Sequence, residues 1–348
     1  MSIPNSIEMG VFPFVPVDTT ELVEAEETVE TSGFGLVKVN IFGKVGRHPI
    51  VTFHDIGLNA ATNFENFFQF QASSKLTQYF CIYNINAPGQ EPEAQKLPAN
   101  YRYPTMDGLA NIVSDVVSHF GLKSFVGIGI GAGANVMLRY AMSQQRLLDA
   151  LILINATSQK AGWVEWGYQK WNLKCLRSEK MTQFTVDYLM WHHFGRHIEE
   201  CNPDIVQQYH DYFYSYSNTW NLALYIDAFL NRSEVILRDM KSVSDYLLKV
   251  PILQIVGMNS AFISESVYVN SQLNPRISEW MKVSDSCGLV LDDKPLEVMQ
   301  AMFLFLQGLG FCSSVDVFKL VSGIKEQREG SQRTDDNSAA TVEWVDET

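Results

Sequence analysis

The chain has 348 residues, 46% of them hydrophobic, and a formal net charge of −13, which suits one large α/β domain with an insertion and ample apolar material for its core. The charge is uneven: residues 1–30 hold seven acids and no Lys or Arg, and residues 331–348 hold five acids against Arg333, so the body between is nearly neutral and lacks the basic stripe that nucleic-acid binding requires. The five cysteines (Cys81, Cys175, Cys201, Cys287, Cys312) are odd in number and include no C-x-x-C pair, which argues against a disulfide framework and a zinc site and points to a reducing compartment.

In chain order, the N-terminus M-S-I-P-N-S lacks a basic n-region and an apolar h-region, and Ser2 stands where myristoylation needs glycine. No apolar run reaches membrane-spanning length, so a soluble cytoplasmic protein without an integral membrane segment is expected; peripheral membrane association stays open. Residues 1–28 read as a solvated acidic tail, with V-F-P-F-V at 11–15 as its one apolar patch. Strands are expected at 36–42, 49–53, 79–85, 124–129, 150–154, 251–257 and 277–283. Several are apolar on both faces, and helical patterns at 105–119, 133–145 and 262–273 lie between them, the signature of βαβ units on a covered parallel sheet. This core comprises residues 29–155 and 250–320; residues 156–249, rich in Trp, Tyr and His without a long apolar strand, read as a helical insertion. An amphipathic helix at 294–309 closes the core, and 321–348 read as a disordered acidic tail.

The stretch G-I-G-I-G-A-G at 127–133 sits between a strand and a helix. A dinucleotide site would place G-x-G-x-x-G at the first strand-to-helix turn, with an acid some twenty positions on after a second strand. Here the glycines alternate far from the first strand, and the acid position falls near Asp149, ahead of a strand. No nucleotide cofactor is therefore expected. The better match is the nucleophile elbow, G-x-S-x-G, of an α/β-hydrolase. Aligned on Gly129 to Gly133, both flanking glycines fit, but the nucleophile position is Gly131. The acid position, three residues beyond the glycine that ends Pro251–Gly257, is Ser260; the base position, seven residues before Pro295, is Gly288. No histidine follows His210, so the chain order Ser, acid, His cannot be completed, and all three triad positions lack their chemistry.

The strings V-T-F-H-D-I-G-L-N (51–59), N-A-P-G-Q-E (86–91), Y-R-Y-P-T-M-D-G-L-A (101–110), G-I-G-A-G-A-N (129–135), L-I-L-I-N (151–155), G-W-V-E-W (162–166) and F-L-Q-G-L-G (305–310) resemble the N-myc downstream-regulated family over about residues 28–320. The resemblance implies an α/β-hydrolase fold, a mostly parallel sheet with helices on both faces and a helical cap. It also implies no hydrolase activity and a cytoplasmic role in differentiation, stress response and vesicle or signalling traffic through protein partners. Members commonly carry basic, Ser/Thr-rich C-terminal tails phosphorylated by basophilic kinases. This tail departs from that pattern, offering only Ser331 and Thr334 near Arg328 and Arg333 before it turns acidic.

A remnant pocket would involve His54, Asp55, Gly57, Ile130 and Ala132. His54 and Asp55 stand where hydrolases place the oxyanion loop; the plainer reading has them bridging their own turn through Gly57 and Asn59. His193 and His197, at i and i+4 beside His192, have a spacing that ligates zinc, but without H-E-x-x-H they read as a partly exposed cap helix, and no metal is expected. Trp163, Trp166, Trp171, Tyr209, Tyr212, Phe213, Tyr216 and Trp220 are expected to pack the cap on the sheet, with any exposed subset serving as a docking surface. A noncatalytic scaffold or adaptor is the leading reading. The alternatives are a small-molecule or lipid-binding module using the remnant pocket, and a residual hydrolase using Cys287 or Ser260, with His54 as the only histidine placed near enough to serve as base.

Overall fold

The structure is a computed structural model that describes residues 23–44, 46–70, 74–239 and 246–324. Among these residues eight strands form one sheet: β1 (Val23–Thr31), β2 (Gly35–Gly43), β3 (His48–Phe53), β4 (Phe80–Ile85), β5 (Phe125–Ile130), β6 (Leu148–Ile154), β7 (Ile252–Gly257) and β8 (Ser278–Val283). Their order is β1-β2-β4-β3-β5-β6-β7-β8, with β2 antiparallel to β1 and β4 and all other pairs parallel. The seven strands expected from sequence are β2 to β8.

β1 is a correction, because it begins inside the stretch read as a tail. Its partner is β2, in register from Val23 against Gly43 to Thr31 against Gly35. Among its described side chains only those of Val29 and Thr31 are buried, while Glu24, Glu26, Glu27 and Glu30 are exposed. A strand at the sheet edge needs one apolar face at most, and charges along it discourage further pairing, so its composition resembles a solvated tail.

The alternation of side chains along each central strand divides two cores. Val126, Ile128 and Ile130 of β5 and Ile152 and Ile154 of β6 face one side; Phe125, Leu151 and Leu153 face the other. The first side is covered by the short helices α1 (Asn66–Gln69) and α2 (Ser74–Tyr79) and later by α11 (Pro295–Gly308), which supplies Met299, Met302 and Phe303. The second is covered by α3 (Met106–His119) and α4 (Ala132–Gln144) through Leu109, Val113, Val136 and Met137, and by residues flanking and within α9 (Ile263–Gln272). Residues 317–324 are also helical, and Val317, Val321 and Ile324, spaced as one helix face, are buried in the first core. The stretch read as a tail from residue 321 is thus packed to Ile324.

Between β6 and β7 lie α5 (Trp163–Arg177), α6 (Gln183–Phe194), α7 (Pro203–Tyr214) and α8 (Thr219–Leu230). The last three start at polar caps: Thr182, Asn202 and Asn218 each accept a backbone N–H of the first turn, and Pro203 takes the position where a missing N–H costs nothing. α6 stops at Gly195, whose φ of 91° and close approach to the Asn259 carbonyl admit no side chain. A last short helix, α10 (Val290–Asp293), precedes α11. Among the described residues no helix is long and apolar enough to cross a membrane.

Candidate functional site

The turn between β5 and α4 has the shape of a nucleophile elbow. Gly131 adopts φ 53° and ψ −112°, and α4 starts at Ala132. A Cβ added at Gly131 would fall well inside 3.0 Å of all three carboxylate atoms of Asp55. The space a serine side chain would occupy is therefore filled by an acid on the loop after β3, the strand paired with β5.

That carboxylate also takes the donors an oxyanion hole would use. Those donors are the N–H after the nucleophile and an N–H from the loop after β3. Here the N–H groups of Ala132 and Ile56 both donate to Asp55 Oδ1, each at 2.8 Å. The other oxygen, Oδ2, accepts from His192 Nε2 at 2.9 Å and lies 3.8 Å from His193 Nδ1. Burial works to raise the Asp55 pKa, but His192, then His193 and the Ala132 N–H, stabilise the carboxylate and bring it down to about 2. His193 donates Nε2–H to the Ile56 carbonyl at 2.9 Å, and burial lowers its pKa to about 4 against the attraction of Asp55, so it is neutral with Nδ1 bare. His192 Nδ1 is buried and finds no hydrogen-bond partner among the described residues.

His54 is neutral too, lowered by burial to about 4. The Ala87 N–H donates to Nε2 at 2.9 Å, so Nδ1 carries the proton and donates to the Asp55 carbonyl at 2.8 Å. Both ring nitrogens are committed to backbone, and Tyr225 of α8 seals the loop by donating to the His54 carbonyl. The turn partners are not Gly57 and Asn59 as expected. The Asp55 N–H donates to Asn63, Asn59 bonds instead with Thr62, and Gly57 lies beneath Leu189 and Phe213 of the cap.

The other two triad positions are joined by Asn155, which follows β6 with φ 52°. It accepts from Ser260 Oγ at 2.9 Å and donates to the Gly288 carbonyl at 2.7 Å. Gly288 packs against the His193 backbone so closely that a Cβ there would overlap its carbonyl. Cys287 is buried, and its hydrogen bond to Cys201, then burial, hold its thiol well above the ordinary range. Neither residual nucleophile is activated by a base.

Of the expected pocket residues, Asp55 and the Ala132 N–H meet at the elbow. Ile130 does not, since its side chain enters the opposite core. His54 is not the only histidine near the site: His192 and His193 at the end of α6 are both buried and both reach Asp55. His197 lies beyond the Gly195 stop with its side chain 58% exposed, so the i, i+4 pair is never assembled. The signal for this was the H-H doublet set among Leu189, Met190, Trp191 and Phe194 at the end of α6, where buried polar side chains need partners. Tyr209 and Phe213 are buried as expected of cap packing, and Phe213 stacks on His193 at 5.4 Å, whereas Trp171 is 64% exposed. The side chains of Trp163 and Trp166, and Ser331 and Thr334, lie outside the described part of the chain.

Sheet order, elbow and cap together define an α/β-hydrolase fold. A thermophilic esterase from Thermogutta terrifontis superposes with a TM-score of 0.68 at 18% identity, covering 82% of this chain and 99% of that one. A hydrolase from Pseudomonas aeruginosa does so with a TM-score of 0.64 at 15% identity, covering 81% and 98%. At sequence level the Ndr family profile matches residues 26–313, and the chain belongs to that family. It is 32% identical to Protein NDRG3 of Xenopus laevis over 302 residues, 85% of this chain and 78% of the relative, and 32% identical to Protein NDRG1-B of the same species over 307 residues, 86% and 75%.

Proposed function

We propose that this protein is a noncatalytic α/β-hydrolase-fold scaffold or adaptor, acting in the cytoplasm through protein partners in signalling, differentiation, stress response or vesicle traffic. The observation that carries the reading is the Asp55 carboxylate, which fills the nucleophile's space and accepts from Ala132 and Ile56. An oxyanion hole works by offering unspent donors to developing charge; these donors already hold a full negative charge. Rings of Phe229 and Phe262 pack on His192, with centroids at 5.9 and 4.8 Å, which narrows the space beside the elbow where a small ligand would sit. This favours the scaffold over a ligand-binding module. The test is incubation of the purified chain with a fluorophosphonate probe and a panel of short-chain esters, beside affinity purification from cytosol with intact and heat-denatured chain. No labelling, no turnover, and partners retained only by the folded chain are expected; stoichiometric labelling of one serine, lost on denaturation, would sink the reading.

A further inference from the structure

We propose that Asp55, His192 and His193 form a buried binding site for a divalent ion of the zinc class, which clasps the cap helix α6 to the loop after β3. Ligand-capable atoms of the three residues lie within 4.8 Å of one another, though Asp55 and His192 are 137 positions apart in the chain. A tetrahedral ion with bonds of about 2.0 Å needs ligand atoms about 3.3 Å apart. The distances from Asp55 Oδ2 to the two histidine nitrogens, 2.9 and 3.8 Å, fall on either side of that value, so shifts of about half an ångström bring both to it.

The outer shell is already arranged for ligation around His193 and Asp55. A metal-bound histidine donates its remote N–H to a carbonyl or carboxylate, which fixes the tautomer and aims the lone pair. His193 does this through Nε2–H to the Ile56 carbonyl, leaving Nδ1 toward Asp55. Asp55 Oδ1 is held by the Ile56 and Ala132 N–H groups, which turns Oδ2 toward the histidines. His192 gives up only the Nε2 proton that now bridges to Asp55; its unpartnered Nδ1 can carry a proton without breaking another bond. Binding is thus a ligand exchange in which the bridging proton moves from Nε2 to Nδ1, so that His192 ligates as a neutral imidazole, with nothing oxidised or reduced. Two imidazoles and one carboxylate select zinc or a similar late first-row ion over calcium and magnesium, which prefer all-oxygen sites.

Sequence spacing led to no metal because it weighed only ligands near one another in the chain. The site stands on its own donors whether or not the protein is catalytic. The experiment uses the full chain, stripped by a chelator, dialysed, and titrated at neutral pH with zinc chloride by calorimetry and with cobalt(II) by absorption. Uptake of one ion per chain is expected, with a raised Tm and visible cobalt ligand-field bands lacking a thiolate charge-transfer band. His193→Gln keeps an amide to donate to the Ile56 carbonyl but loses the Nδ1 ligand, and should weaken zinc affinity by at least about 100-fold. No stoichiometric uptake, a thiolate-type cobalt spectrum pointing to the cysteines, or unchanged affinity in a folded His193→Gln variant would each overturn the site. Should that variant fail to fold, the cobalt spectrum of the unaltered chain decides.

Discussion

Replacing Gly131 by alanine adds one methyl group at the point where the fold has exchanged a nucleophile for a carboxylate. Backbone strain at φ 53° and ψ −112° costs about 1 kcal/mol, the low end for such conformations. The larger effect is displacement. The new Cβ overlaps the Asp55 carboxylate, which must leave its bonds to Ile56, Ala132 and His192, and leaving a buried charge without its compensating partners costs about 3–5 kcal/mol. The expected loss is therefore about 4 kcal/mol or more, against about 1 if strain acted alone. Denaturant melts of Gly131→Ala, Asp55→Gly and the double variant separate the two contributions, because in the Asp55→Gly background the obstacle is gone and only strain remains. A coupling of at least about 2 kcal/mol is expected. A single-variant cost near 1 kcal/mol, or the same cost in both backgrounds, would refute the claim that Asp55 occupies the nucleophile's space.

Restoring the triad residue types by Gly131→Ser, Ser260→Asp and Gly288→His should not yield an esterase, since the first side chain meets Asp55 and the third meets the His193 carbonyl; p-nitrophenyl ester turnover near that of ordinary esterases would contradict this. Burial raises the Asp292 pKa to about 7 even though Tyr209 donates to its Oδ2 at 2.9 Å, so the folded protein keeps a proton that the unfolded chain releases near pH ~4. The stability this group contributes is full below pH ~4 and is lost as pH rises to about 7, so Asp292→Asn should raise the Tm at pH 8 and leave it unchanged at pH 4; equal differences at both would count against it. Phe213→Ala should cost about 3–5 kcal/mol in a denaturant melt, because Phe213 is fully buried and stacked on His193, whereas Trp171→Ala on the exposed face of α5 should stay within about 0.5 kcal/mol. A small loss for Phe213→Ala would show that the cap is not clamped at the histidines.

The alternation of short apolar runs with helical patterns determined the sheet, because a strand buried on both faces must be apolar at nearly every position and that signature is local. The spacing of Gly129, Gly131 and Gly133 likewise determined the elbow, and the absence of histidine after His210 determined that the usual triad could not be completed. β1 escaped because an edge strand with one buried face is written in the same residues as a solvated acidic stretch. What the elbow holds instead of a serine was decided only in three dimensions. Asp55, His192 and Ala132 come from the loop after β3, the last turn of α6 and the first turn of α4, and no periodicity links them. Their meeting depends on how far the cap descends onto the sheet, which is set by Leu189 and Phe213 over Gly57, Tyr225 on the His54 carbonyl, and Gly195 ending α6 just past the two histidines. Such long-range packing fixes where a side chain ends up by excluding volume and satisfying buried polar groups, and neither constraint leaves a pattern in the neighbouring sequence.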